Sequence, residues 1–115
     1  MVLHICALSR EIGGSLNHFD FDNIGKSVPL LTKFKPASEF NLTKFHNAGG
    51  VGVLMKKLSN ILDLSTKNVL RNTLKEYLHS VEIHDYYIIR NFEDPIANEG
   101  GIAVLKGSLA PEGAL

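Results

Sequence analysis

The sequence predicts an α/β chain that is mostly helical over residues 1–85 and turns to short strands over 86–115. Three observations predict it. Apolar residues recur at helical spacing in the first part, as in Val51, Leu54, Leu58, Ile61 and Leu62. Two short, partly β-branched runs follow late in the chain, Tyr86-Tyr87-Ile88-Ile89 and Ile102-Ala103-Val104-Leu105. A loop bearing Pro95 and the pair Gly100-Gly101 separates them. The change of periodicity near residue 85 reads as a domain boundary, and an isolated pair of strands after it would be only marginally stable in water.

Taken in order, MVLHICALSREIGG is apolar almost from its first residue and predicts a buried helix closed by Gly13-Gly14. It carries no N-cap residue and no polar lead-in. Together with the closing GGIAVLKGSLAPEGAL, which opens a new element as the chain finishes, this reads as a segment cut at both edges. FDFDNIGKSVPLL predicts a short helix from about Asp20, with Phe21 and Ile24 facing inward and Pro29 ending it; Leu30-Leu31 follow as an extended or loop segment. Asn41 is placed to cap the next helix, with Phe40 and Phe45 at the two positions of a hydrophobic staple and Gly49-Gly50 as the break. The Val51–Leu62 stripe then turns inward, leaving Lys56 and Lys57 on a solvated face. A last helix is predicted over Leu70, Leu74, Tyr77 and Leu78.

Composition narrows the function. The 115 residues suffice for one small domain with its own core, and 44% are hydrophobic and 21% charged. Lysines and arginines balance aspartates and glutamates at 12 each, which supplies no electrostatic reason for nucleic acid or an anionic membrane as partner. One cysteine, Cys6, excludes an internal disulfide and fits a reducing compartment. No apolar stretch approaches the roughly 20 residues that span a bilayer, and the start has no signal-peptide pattern. The expectation is a soluble, cytoplasmic protein.

Local patterns that suggest chemistry are incomplete. DFDNIG (Asp20 to Gly25) has the front half of a calcium loop, but Ile24 and Leu31 stand where ligands are required. AGGVGV (Ala48 to Val53) could expose backbone N–H groups to an anion, but it lacks the full dinucleotide fingerprint and the phosphate-loop Lys-Ser/Thr. Close packing at a helix–helix corner is the expectation there. The histidines His4, His18, His46, His79 and His84 show neither i, i+4 pairing nor a cysteine at zinc spacing. His4, in an apolar helix, is expected in the core. His46 stands before a double glycine, where a turn presents a side chain to a pocket, and is the one candidate pocket residue. Ser9, Ser65 and Ser108 have no base or elbow motif around them. No catalytic, cofactor-binding or metal-ligating set is complete.

Four stretches, in order, resemble one family, that of dihydroxy-acid dehydratase and phosphogluconate dehydratase. VLHICALSREIG is similar to its "VLH-apolar-A-x-x-x-G" helix, and VPLLTKFKPASEF to its "VPLL-x-x-x-x-P" segment. FHNAGGVGVLMKKL resembles "HxAGGxxxxMKEL", and IIRNFEDPIANEGGIAVLKGSLAPEGAL resembles "VIRPLDNPxxxxGGxAVLxGNLAPEGAV". The "LAPEGA" ending is closer to the dihydroxy-acid and sugar-acid branch. The family's "TVTGKT" is Asn68-Val69-Leu70-Arg71-Asn72-Thr73 here, and "GNLAPEG" has Ser108 in place of asparagine. These departures mark a divergent member or relaxed constraint.

The resemblance implies a hydro-lyase that converts a small 2,3-dihydroxy acid to a 2-keto acid, in branched-chain amino-acid biosynthesis or sugar-acid catabolism. It implies a homodimer for the full-length family, with an iron–sulfur cluster and Mg²⁺ acting on the leaving 3-hydroxyl and the substrate carboxylate while a base takes the C2 proton. The family's cluster cysteines and Mg²⁺ ligands lie mostly upstream of the matched stretch, and its "DGRxSGG" serine downstream. Cys6 matches none of the cluster cysteines, so the chain alone is expected to bind neither cofactor and to be inactive. By the resemblance, residues 1–85 correspond to the C-terminal part of an N-terminal α/β domain and residues 86–115 to the start of a β-barrel-like domain. The alternative is a free-standing, non-catalytic binding or assembly module derived from the same family.

Overall fold

The computed structural model describes residues 1–114, with the backbone alone at Glu112. Leu115, the last residue of the predicted 86–115 segment, lies outside the described residues. The chain forms two compact units, one of Met1–Pro29 with Ala97–Leu115 and one of Leu30–Ile96.

In the first unit, α1 (Val2–Glu11) starts at Met1 without a side-chain cap. It ends where Gly13, at φ +78°, sends its N–H back to the Arg10 carbonyl at 3.0 Å. Its burial differs from the sequence expectation: Val2 is buried, but Leu8 is 63% exposed and Ile12 80%. Next comes α2 (His18–Ser27), two residues earlier than predicted. The missed signal is Asn17: its Oδ1 accepts from Phe19 N–H at 2.9 Å while Asp20 Oδ2 accepts from the Asn17 N–H at 2.7 Å. Ile24, expected inside, is 55% exposed, and the helix stops at Val28, whose extended backbone suits the following Pro29.

The rest of this unit is one antiparallel hairpin, β1 (Leu105–Gly107) and β2 (Ala110–Ala114), with Leu105 opposite Ala114 and Gly107 opposite Ala110. The strand predicted from Ile102 thus begins only at Leu105. Asp22 holds its approach, accepting from the Val104 N–H at 3.0 Å. Gly100 N–H donates to the Gly25 carbonyl at 2.7 Å, and a side chain on Gly100 would sit 3.2 Å from that oxygen, so backbone meets backbone directly. The hairpin is open, not a closed barrel.

The second unit carries α3 (Leu42–Asn47), α4 (Gly50–Lys57) and α5 (Leu74–His79). Asn41 caps α3 as predicted, its Oδ1 accepting from Lys44 N–H at 2.9 Å. Phe45 is buried and Phe40 packs against the same cluster, though their ring partners are Phe34 at 5.0 Å and Tyr87 at 5.6 Å respectively. The core is Leu31, Phe45, Ala48, Val53, Ile88 and Ile89.

Three expectations are corrected here. α4 stops at Lys57, well short of Leu62, and buries Gly52 and Val53 while Val51 is 61% exposed. α5 begins at Leu74 because Thr73 and Glu76 form a reciprocal cap, leaving Leu70 exposed in the preceding turn. Tyr86–Ile89 is a turn, not a strand: Ile88 and Ile89 are core residues of an irregular segment, and a short apolar run does not distinguish the two by periodicity.

Between α4 and α5, Lys67 and Thr73 pair across a tight turn, and Arg71 at its tip adopts φ +64°. In the resembled "TVTGKT" motif this position carries glycine. The backbone thus takes a left-handed conformation on a residue with a Cβ. Arg71→Gly is expected to raise the unfolding free energy by about 1 kcal/mol, read as a higher urea midpoint with unchanged slope; no gain would show that the turn is unstrained. Gly49 has φ +106°, and a Cβ there would collide with the Val53 side chain and approach the Glu82 carbonyl at 3.3 Å. Gly49→Ala is expected to cost about 3 kcal/mol, which a thermal melt would register as loss of most of the cooperative transition.

Candidate functional site

His46 sits in the last full turn of α3, exposed to solvent, with its main-chain carbonyl accepting from the Gly49 N–H at 3.0 Å. An open cleft of about 490 Å³ lies on the same unit, and it takes Lys44 and Asn47 from α3, with His84, Asp85 and Tyr87 opposite. His46 is not among the residues that line it. Asp85 is committed locally, its Oδ1 accepting from Tyr87 N–H at 2.7 Å, and Lys44 lies 5.7 Å from the centre of the Phe40 ring. No nucleophile–base pair is assembled in this cleft.

The other sequence candidates resolve into structure. Asp20–Gly25 lies inside α2, where Asp20 caps the helix and Asp22 pairs with Lys26 at 2.5 Å, so it forms no calcium loop. The Lys26 ammonium and the Val104 N–H hold the Asp22 carboxyl below the usual aspartate value. AGGVGV is a packing corner: a Cβ on Gly52 would stand 3.0 Å from the Tyr77 hydroxyl and 3.2 Å from Val81. His4, expected in the core, is exposed on α1. Ser9 ties the end of α1, its Oγ accepting from Leu16 N–H at 3.2 Å.

Cofactor binding can be tested on the donor set. An iron–sulfur cluster requires several thiolates, and this chain carries one cysteine, half-buried Cys6. Among the described residues, no three His, Cys, Asp or Glu side chains converge. The one thiolate does not fit a cluster, and no carboxylate set that could hold Mg²⁺ is assembled among the described residues.

Sequence reasoning missed three polar side chains, two with long-range partners and one a buried imidazole. Lys56 Nζ donates to the Val81 carbonyl at 2.6 Å, and Lys57 Nζ donates to the Ile89 carbonyl while lying 4.8 Å from the centre of the Tyr86 ring. Both were expected on a solvated face; both instead pin an irregular segment 25 to 32 residues away. His18 is the third: its Nε2 is buried against Gly113 with no hydrogen-bond partner among the described residues. Local spacing carries no signal for any of them.

Partial burial depresses the Lys57 ammonium below its ordinary value of 10.5, opposed by the nearby Asp85 charge. Because its folded value lies below its unfolded one, charged Lys57 costs stability at neutral pH, and that cost disappears as pH rises toward 10.5. The unfolding free energy of the native chain, minus that of Lys57→Met, is expected to increase from neutral pH toward 10.5. A difference that stays flat in a urea series would show that Lys57 is fully hydrated.

Comparison with known proteins gives consistent matches. The family model "Dihydroxy-acid/6-phosphogluconate dehydratase N-terminal" matches residues 1–77. A dihydroxy-acid dehydratase of Acetivibrio thermocellus is 38% identical over 99% of this chain, one of Hydrogenobaculum sp. is 34% identical and one of Metallosphaera sedula 37%. The chain spans 21% of the length of each of these relatives.

Proposed function

This chain belongs to the dihydroxy-acid/6-phosphogluconate dehydratase family, and on that premise we propose that it is an internal portion of a dihydroxy-acid dehydratase-like hydro-lyase. The reaction is removal of water from a 2,3-dihydroxy acid: the C2 proton goes to a base, the 3-hydroxyl leaves, and the enol becomes a 2-keto acid. The observation that carries this is a match of 38% identity along 99% of the chain to an enzyme nearly five times as long. A metal centre held by residues outside this chain would supply Lewis acidity for loss of the hydroxyl. The residues here supply scaffold: capped helices, a glycine corner and a hairpin, with no assembled proton-transfer pair among the described residues.

On this reading the chain alone is inactive, and the complete protein is a soluble, cytoplasmic homodimer acting on a small molecule. Residues 1–85 are the end of its N-terminal domain and 86–115 the start of a β-barrel-like domain. Supporting a change of domain late in the chain, the N-terminal family model ends its match at residue 77 and the antiparallel hairpin follows at 105–114, although Ile88 and Ile89 pack with Phe45 and Val53. His46 is proposed to stand near the pocket of the complete enzyme, supported by its exposure beside the Gly49 corner.

The test is a chimera in which this chain replaces the matched segment of the Acetivibrio thermocellus relative. It is expected to form keto acid from 2,3-dihydroxyisovalerate, while the isolated chain forms none after anaerobic cluster reconstitution. Turnover by the isolated chain, or a folded chimera without turnover, would overturn the reading. In the same chimera His46→Ala is expected to lower kcat/KM at least tenfold with the melting temperature unchanged; unchanged turnover removes His46 from the pocket.

A further inference from the structure

Three residues of α2, His18, Asp22 and Gly25, follow one another at steps of four and three and so share one helix face. Each meets the late segment of its own unit. The Gly25 carbonyl takes the Gly100 N–H at 2.7 Å, and Asp22 Oδ1 takes the Val104 N–H at 3.0 Å from 82 residues away. The His18 ring lies against Gly113, where a Cβ would stand 2.7 Å from its Nε2. Beside that face, Lys106 Nζ lies 4.0 Å from the centre of the Phe19 ring. The contacts run backward along α2 as the late segment runs forward from Gly100 to Gly113.

This segment has little sheet of its own. The hairpin has two strands with an irregular register between Leu105 and Gly107, and a lone pair of strands is marginal in water. Its seat on α2 includes one ionised acceptor. The Asp22 side chain is 17% exposed, with one oxygen on the Val104 N–H and the other on Lys26 Nζ at 2.5 Å. A hydrogen bond accepted by a carboxylate is roughly twice as strong as one between neutral groups. Protonation of Asp22 removes that gain and the attraction of Lys26 together. The charged and titratable groups around this contact are Lys26 and His18 on α2, with Glu99 and Lys106 on the late segment. Arg10 and Glu11 of α1 line a cleft with His18.

We propose that Asp22 is a charge-operated clasp: its ionised carboxylate seats residues 100–113 on α2, and loss of that charge releases them. Lys26 and the Val104 N–H hold the carboxyl below its ordinary value of 3.8. The clasp is therefore closed at neutral pH and opens as pH falls through that lowered value. Asp63 and Glu76 of the other unit are held low by their own hydrogen bonds, so acid alone would weaken both units.

The experiment accordingly removes the charge by substitution at neutral pH, in the intact 115-residue chain. D22N keeps the side-chain shape and one acceptor oxygen. Hydrogen exchange at the Gly100 amide, whose own acceptor is untouched, is expected to quicken roughly tenfold. The Arg90 amide, bonded to the Leu31 carbonyl in the other unit, is expected to keep its rate. Unchanged exchange at Gly100 overturns the proposal, and so does equal acceleration at Arg90, which would make the loss global. A second readout is the amide resonance of Val104, which is expected to shift with pH at a midpoint below 3.8 and to lose that response in D22N. K26M is expected to raise the midpoint without abolishing the response, and H18Q to leave the response in place. A Val104 resonance that does not move with pH overturns the proposal whether or not the segment is ordered. A response lost in H18Q assigns the titration to the imidazole and overturns it equally.

Discussion

The larger unit depends on one tight corner. Between Asn47, where α3 ends, and Gly50, where α4 begins, only Ala48 and Gly49 remain to turn the chain. A left-handed Gly49 makes that turn, and the absence of a Cβ lets Val53 close over it. Ala48 and Val53 are consequently almost fully buried, and Phe45 from one helix joins Val53 from the other in a single cluster with Leu31, Ile88 and Ile89. α4, set by this corner, in turn carries Lys56 and Lys57 to the carbonyls they hold. A core of this kind, drawn from two short helices and two irregular segments, has little local structure to fall back on if the corner opens.

What the sequence made legible was governed by neighbours in the chain. Asn41 as a cap, the stop at Pro29 and the packing role of the Ala48–Val53 glycines all follow from residues within a few positions of each other, and all are present in the fold. The failures came where a distant partner decided the outcome. Lys57 looked like a surface residue because its acceptor, the Ile89 carbonyl, is 32 residues away. The run Tyr86–Ile89 looked like a strand because β-branched apolar residues suit a strand and a buried irregular segment equally. At α1 the sequence indicated burial that this chain does not supply. The candidate site was the least legible part: His46 stands beside a turn, but it is not among the residues lining the nearby cleft.

Arg71 holds a left-handed turn without glycine. Its φ of +64° is supported by Asn68, whose Oδ1 accepts from the N–H groups of Leu70 at 2.9 Å and Asn72 at 3.2 Å. Four hydrogen bonds at one asparagine, with the Arg71 N–H reaching its carbonyl and its own N–H reaching the Asn72 carbonyl, each at 2.9 Å, compensate a conformation that arginine does not favour.

The two lysine anchors give the stretch from Val81 to Ile89 an unusual tolerance. In a sheet, adding or removing one residue swaps every side chain between the two faces. Here the positions of the Val81 and Ile89 carbonyls are set by flexible four-methylene stems reaching from α4, with no ladder to keep in step. Ile83 and Ile88 pack with the core, so change in number is confined to the exposed residues between them, as long as each end still comes within a lysine's reach. Length variation among relatives should therefore collect between these two anchor points, leaving the helices that bear the lysines at constant length.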